Sequence, residues 1–383
     1  MKYKKLGILI MAVAVIFSLT GCNLPFFHKA HQSSKPKKEE KIAQEPVKKR
    51  KPYIPNKSET LQLNIRDYLR SYKDFSGSIS VMQDNQILYR QGIGYANIEK
   101  ELMNTPTTTF PIGSISKLFT ATSLMMLQEQ QKLSIQDPVS KYIAGFPNGS
   151  RIKIYNLMSH TSGIQGLNWH KGDTTPLKLV REIAKFPVKF QPGTKWDYRD
   201  SNYMVLGYIV EKVSREPLHQ FIQQNILDKV HMNNTGFMTP EHPAPYTATG
   251  YVMKDNQMKE TQTFNVYALY SCGDIYTTPY DLSLFDHALM SGELVSENSL
   301  KQMLTHGPFS KYGLGLYYDG QRAWSNGVLP GYYTTHSYFN DKTSIVLFSN
   351  TKKVSLTDLD HMVLKIHEMV QILPKDGNPI ETS

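Results

Sequence analysis

Apolar residues first recur at helical spacing where Leu61, Ile65 and Leu69 share one face, which predicts a helix opening near Ser58. Two strand-like segments follow, Ser78-Ile79-Ser80-Val81-Met82 and Gln86-Ile87-Leu88-Tyr89. They flank Asp84-Asn85 and read as a hairpin whose second strand continues through Tyr95 despite Gly92 and Gly94. Helical periodicity runs over 114–131 and again over 201–213. From about 134 to 270, many Pro and Gly breaks and the lack of a strand series predict a mostly helical inserted subdomain. Strand character returns over 313–318, 332–339 and 343–348. A last helix is announced by the capping pattern Ser355-Leu356-Thr357-Asp358 and the apolar stripe Leu359, Val363, Ile366 and Val370. Strands near both ends with helices between them predict an α/β fold built on one antiparallel sheet assembled from the two termini.

Composition fits a water-soluble body: 40% of the 383 residues are hydrophobic and 20% charged. The formal charge of +10 suggests a nucleic-acid partner only until it is located. Residues 1–22 hold three Lys and no acid, and 23–57 hold ten Lys or Arg against Glu39, Glu40 and Glu45, so the remainder is formally neutral. No nucleic-acid groove is indicated. Lys2, Lys4 and Lys5 followed by an apolar run from Leu6 to Leu19 form an export signal that is short for a membrane span. It ends in Leu19-Thr20-Gly21-Cys22, similar to the bacterial lipobox, where the cysteine is lipidated and becomes the mature N-terminus. Residues 1–22 are thus expected to be a lipoprotein signal peptide, with an uncleaved anchor or ordinary signal as the alternative. The Lys-, Pro- and Ser-rich stretch 23–57 is too poor in aliphatic residues to offset chain entropy and is expected to be a disordered basic tether. The body, 58–383, would then work at the outer face of the cytoplasmic membrane, held by a lipid on Cys22.

Several chemistries lack their residues. There is no phosphate-binding Gly-x-x-x-x-Gly-Lys-Ser/Thr loop, no Gly-x-Ser-x-Gly elbow and no His-Glu-x-x-His. Two cysteines, Cys22 and Cys272, exclude a disulfide framework and a cysteine zinc site, and no cofactor is expected. What remains is Phe110-Pro111-Ile112-Gly113-Ser114-Ile115-Ser116-Lys117, a turn entering an apolar helix. A serine there lies near free backbone N–H groups that stabilise an oxyanion, and Lys117 falls on the same face. Desolvation is expected to lower the pKa of Lys117 so that it accepts the hydroxyl proton. Ser-x-x-Lys also occurs at Ser34, Ser150 and Ser349, but only Ser114 opens a helix with a buried character. His160-Thr161-Ser162-Gly163 is read as a structural turn rather than a Ser/His pair, His336 is given no role, and Cys272 is taken as a small buried hydrophobe.

Further blocks follow in order. They include Leu157-Met158-Ser159-His160-Thr161-Ser162-Gly163, Pro192-Gly193-Thr194-Lys195-Trp196-Asp197-Tyr198, Tyr276-Thr277-Thr278-Pro279-Tyr280-Asp281-Leu282 and Tyr312-Gly313-Leu314-Gly315. With the Ser114 block, these resemble the serine penicillin-binding and class C β-lactamase-like family over nearly all of 58–372. The resemblance implies a β-lactamase/transpeptidase-like fold and acyl-enzyme catalysis. Ser114 would be the nucleophile, Lys117 and Tyr198 would move protons, and the backbone N–H groups of Ser114 and Val328 would hold the oxyanion. The family's second motif, Tyr-x-Asn, reads Tyr198-Arg199-Asp200 here, and the third, a Lys or His before a glycine, aligns with Trp324-Ser325-Asn326-Gly327. Asp200, Ser325 and Gly327 are then expected to shape the substrate site. An added carboxylate and a missing cation both disfavour an anionic substrate and suit an ammonium. Both departures look like the teichoic acid D-alanine esterase branch, so the expected substrate is the D-alanyl ester of a cell-wall polymer. A D-Ala-D-Ala carboxypeptidase or endopeptidase, a β-lactamase, or a lipoprotein that only binds wall polymer are the alternatives.

Overall fold

The computed structural model describes residues 57–167, 174–262 and 264–372. The expected signal peptide, the lipidation site Cys22 and all but the end of the expected tether lie outside them. Helix α1 (Lys57–Ser71) leads into strands β1 (Gly77–Gln83) and β2 (Gln86–Ile93), and the nucleophile-bearing segment ends in α2 (Ser116–Glu129). Helices α3 (Asp200–Ser214) and α4 (Pro279–Met290) precede strands β3 (Tyr317–Tyr318), β4 (Arg322–Leu329), β5 (Tyr332–Phe339) and β6 (Thr343–Ser349), and α5 (Leu356–Gln371) follows.

The strands form one antiparallel sheet in the order β3-β4-β5-β6-β1-β2. Its closure from both ends is explicit in the register, where Gly77 faces Ser349 and Gln83 faces Thr343. Two apolar clusters cover its faces. Leu61, Ile65 and Leu69 of α1 pack with Leu359, Val363 and Ile366 of α5 on Ile79, Val81 and Leu347. On the other face, Leu282 and Phe285 of α4 and Phe119 of α2 join Val346 and Phe348. Fully burying each such side chain contributes about 1.5–3 kcal/mol. At the start of α5, Ser355 and Asp358 satisfy one another's backbone N–H groups as the capping pattern requires.

Three expectations are corrected. The second hairpin strand stops at Ile93, because Gly94 turns the chain at φ +67° and Tyr95–Asn97 pairs with Leu102–Met103 instead. The strand expected over 313–318 shrinks to Tyr317–Tyr318, since Gly315 adopts φ +101°. Within 134–270, helices are joined by a hairpin, Tyr251–Lys254 with Gln257–Glu260. Its two turn residues, Asp255 and Asn256, adopt the same left-handed conformation as Asp84 and Asn85.

Candidate active site

Ser114 sits in the short 3-10 turn Gly113–Ile115 that runs directly into α2. The turn is pinned from two sides. Ile112 N–H donates to the Ile275 carbonyl at 3.0 Å, and Thr334 Oγ1 on β5 donates to the Ile112 carbonyl at 3.1 Å. Gly113 takes φ +52°, and a side chain there would press on the backbone N of Val328 at 3.2 Å. The nucleophile turn and β4 are therefore in direct backbone contact.

Helix α2 is buried on every side from Ser116 to Leu127, so Lys117 is 0% exposed. Its Nζ lies 2.9 Å from Ser114 Oγ, 3.0 Å from the Cys272 carbonyl and 2.8 Å from Asp200 Oδ1. Three acceptors match the three protons of an ammonium. Burial by itself would push the Lys117 pKa down, but the Tyr198 phenol and the Asp200 carboxylate push the other way and prevail, leaving it above the ordinary lysine value. This corrects the expectation of a lowered pKa: Asp200 holds Lys117 as a cation. An amine that already carries three protons cannot take one from Ser114. Its charge can instead stabilise an anion on Ser114 or on the phenol of Tyr198, whose ring centroid is 5.0 Å from Nζ.

Tyr198 lies just before α3 and is backed by His160, with ring centroids 4.2 Å apart. His160 Nδ1 meets the Asn202 side-chain amide at 3.0 Å and the Arg199 N–H at 3.3 Å. Burial, with the nearby Lys117 charge adding to it, pushes the His160 pKa well below its ordinary value, so the ring is neutral. The structural reading of 160–163 thus gains a specific content: a neutral imidazole supports the phenol. Ser162, meanwhile, donates to Asn202 rather than to His160.

Ser114 opens on two hollows. The larger, of about 1040 Å³, is bordered by Asp200, Cys272, Val328, Phe264 and the 251–260 hairpin. The smaller, of about 320 Å³, is bordered by Tyr198, Tyr312, Ser325, Asn326 and Val328. Val328 lies on the edge of β4 beyond the reach of β3, which pairs only with Trp324 and Ala323, and is 45% exposed. The sequence departures at 200 and 325 therefore fall on opposite sides of the nucleophile. Gly327 is corrected from a substrate-shaping to a packing position, since a side chain there would point at the Ile112 carbonyl only 1.8 Å away. Cys272 is buried as expected, but its carbonyl is also a Lys117 acceptor, a backbone role that no side-chain signal announces. Among the described residues no cluster of three or more His, Cys, Asp or Glu is arranged to hold a metal ion.

Removing the Asp200 charge should lower the Lys117 pKa. In the native protein the raised folded pKa makes this contribution to stability complete below the ordinary lysine range, and it is lost only as pH rises through the folded value. In Asp200→Asn, burial is opposed by Tyr198 without the carboxylate, and the folded pKa falls. The stability that the Lys117 charge contributes should then be lost at a lower pH than in the native protein. Because Asp200 is 46% exposed, the loss at pH 7 is discounted to about 1–3 kcal/mol. Urea denaturation at several pH values measures both, and a variant curve parallel to the native one would show that Asp200 does not set the Lys117 charge.

PbpX of Bacillus subtilis (strain 168), named as a penicillin-binding protein, is 39% identical over 287 residues, 75% of this chain and 73% of that protein. A teichoic acid D-alanine hydrolase of Staphylococcus aureus is 27% identical over 382 residues, covering 94% of this chain and 95% of the relative. The crystal structure of FmtA from Staphylococcus aureus superposes with a TM-score of 0.74 at 27% identity, over 86% of this chain and 92% of that one. A family model described as Beta-lactamase matches residues 61–366, most of the chain, and the protein therefore belongs to the beta-lactamase family and is a hydrolase of the serine type.

Proposed function

We propose that this hydrolase removes D-alanyl groups from ester linkage on teichoic or lipoteichoic acid through an acyl-enzyme on Ser114. A D-alanyl ester carries a free ammonium on its acyl part and leaves as a neutral hydroxyl. The observation that carries the reading is the Asp200 carboxylate, fixed 2.8 Å from Lys117 and bordering the large hollow at Ser114. It cancels the Lys117 charge, so a substrate carboxylate meets no net cation, while an ammonium meets a carboxylate that still faces solvent. Ser325 in place of a cation acts in the same direction.

In this mechanism Ser114 Oγ attacks the ester carbonyl and passes its proton toward Tyr198, whose anionic form the Lys117 ammonium stabilises. The N–H groups of Ser114 and Val328 hold the oxyanion, and Tyr198 returns the proton to the leaving alcohol. The enzyme would work at the outer face of the cytoplasmic membrane, tethered by residues 23–57 to a lipid on Cys22. Among the described residues no helix is long and apolar enough to cross a membrane.

The similarity to PbpX supports a second reading, a peptidase on D-Ala-D-Ala ends that uses the same three side chains. Parallel assays of D-alanine release from D-alanylated lipoteichoic acid and from a peptide ending in D-Ala-D-Ala separate the two. The charge argument predicts a preference for the ester on the order of tenfold or more. Cleavage of the peptide with the polymer left intact would replace this reading by the second.

A further inference from the structure

Ser325 borders the smaller hollow together with Ser114 and Tyr198, yet is itself only 4% exposed. Its cross-strand neighbour on β5 is His336, and the two side chains meet with Ser325 Oγ 2.6 Å from His336 Nε2. On the far side of the ring, His336 Nδ1 lies 2.7 Å from Asp286 Oδ1, supplied by α4. The other carboxylate oxygen accepts the Ser344 hydroxyl at 2.8 Å. His336, Asp286 and Ser344 are all buried, and of these four residues Ser325 is the one that borders the hollow at Ser114.

The proton positions follow from the partners. A carboxylate accepts only, so His336 Nδ1 carries a proton toward Asp286. In the neutral ring Nε2 is then an acceptor, and Ser325 must donate its hydroxyl proton to it. The Ser325 oxygen then keeps lone pairs with which to accept a proton from a group in the hollow it borders. The order carboxylate, imidazole, hydroxyl is a geometry that recurs on unrelated folds wherever a hydroxyl must give up or pass on a proton.

We propose that Ser325, His336 and Asp286 form a proton relay that activates the water hydrolysing the acyl-Ser114 intermediate. The inference rests on the acyl-enzyme reading above and adds the step that this reading leaves out, the transfer of a proton from the attacking water. A hollow of about 320 Å³ has room for the acyl group's attacked face and a water. The water oxygen bonds to the acyl carbon while its proton passes to Ser325 Oγ, whose own proton moves to His336 Nε2. The imidazolium so formed is held against the Asp286 carboxylate. As the tetrahedral adduct collapses, the bond from carbon to Ser114 Oγ breaks. Lys117 Nζ protonates the departing oxygen and is itself reprotonated by the carboxylic acid product. His336 then releases the water's proton to solvent through Ser325. Ser325 touches the reacting water and is a catalytic residue in this scheme; Asp286 positions the ring.

The test is rapid-quench kinetics on the full chain with a chromogenic D-alanyl ester, read by intact-protein mass spectrometry and peptide mapping. Ser325→Ala and His336→Gln should keep the acylation burst within about threefold while deacylation slows about 10²-fold, so that a D-alanyl adduct accumulates on Ser114. Ser325→Thr, which keeps the hydroxyl, should recover most of the deacylation rate. The retained burst reports a folded nucleophile site, so a merely destabilised variant cannot imitate the pattern. Deacylation within threefold of the native rate in both Ser325→Ala and His336→Gln would overturn the relay and leave the acyl-enzyme reading standing. An adduct on Ser325 would also overturn it, and failure to trap any adduct in the native protein or the variants, with turnover continuing, would overturn both.

Discussion

Turnover is expected to fall by roughly 10⁴- to 10⁶-fold in Ser114→Ala and in Lys117→Ala alike, with the double variant no slower than the worse of the two. The geometry makes these residues one unit. Lys117 donates to Ser114 Oγ at 2.9 Å, and its cationic state is enforced by Asp200 and by a carbonyl that can only accept. Without Ser114 there is no oxygen to acylate. Without Lys117 nothing lowers the energy of an anion on Ser114 or on Tyr198, and the hydroxyl keeps its proton. Removing either ends the same step, so a second removal has nothing left to take away. Lys117→Ala also empties a fully buried site and leaves Asp200 without its partner, which should destabilise the fold by about 3 kcal/mol or more. Activity is therefore to be measured well below the melting temperature of each variant, as kcat/KM for D-alanine release. Retention of a tenth of native activity in Lys117→Ala would place the amine outside the proton circuit. Losses that multiply in the double variant would show two independent contributions.

The elements that could be read ahead of the structure are those whose pattern is local. Helix α5 declares itself by its cap and stripe, and β1 with β2 by the strand-like runs on either side of the turn residues Asp84-Asn85. The same turn chemistry stands at Asp255-Asn256, yet the flanking residues Met253, Lys254, Gln257 and Met258 face solvent or lie half-buried and do not alternate in the way a one-sided strand would. Strand β4 was reachable only through the third-motif resemblance, because its buried face carries Ser325 and Gly327 where an apolar residue would have marked it. The site divides in the same way. A serine at the entrance of an apolar helix with a lysine on the next turn is a local signal, and it leads to Ser114 and Lys117. The charge state of Lys117 is not local. It depends on Asp200, which α3 delivers from far along the chain, and burial alone argues for the opposite sign. His336 and Asp286 are the clearest case of information held in pairing: neither has a motif, and only the β4–β5 register and the packing of α4 place them behind Ser325. An acidic residue set among Leu282, Phe285 and Leu289 in an apolar helix was the one available hint.

Gly327→Ala is expected to be the most damaging substitution outside the side chains that touch substrate. The added Cβ would lie 1.8 Å from the Ile112 carbonyl oxygen and 2.4 Å from Thr334 Oγ1. Carbon and oxygen come no closer than about 3.3 Å in comfortable contact, so β4 and the nucleophile turn must part by more than about 1 Å. The Thr334 hydroxyl that ties the two, donating to Ile112 O at 3.1 Å, cannot follow both. Ile112 lies two residues before Ser114 and Val328 directly after Gly327, so the displacement separates the two proposed oxyanion donors from each other. A misplacement of that size costs on the order of 10²-fold in rate, and the strain about 1–3 kcal/mol in stability. The loss should fall on kcat rather than KM, because the large hollow on the Asp200 side is bordered by the 251–260 hairpin and Phe264, which the methyl group does not touch. Gly307→Ala is the matched control: a Cβ there meets nothing within 4 Å, and the substitution should be neutral or slightly stabilising. If Gly327→Ala turns over at the native rate, the contact between β4 and the Ser114 turn does not set the geometry of the oxyanion site, and Val328 loses its proposed part in it.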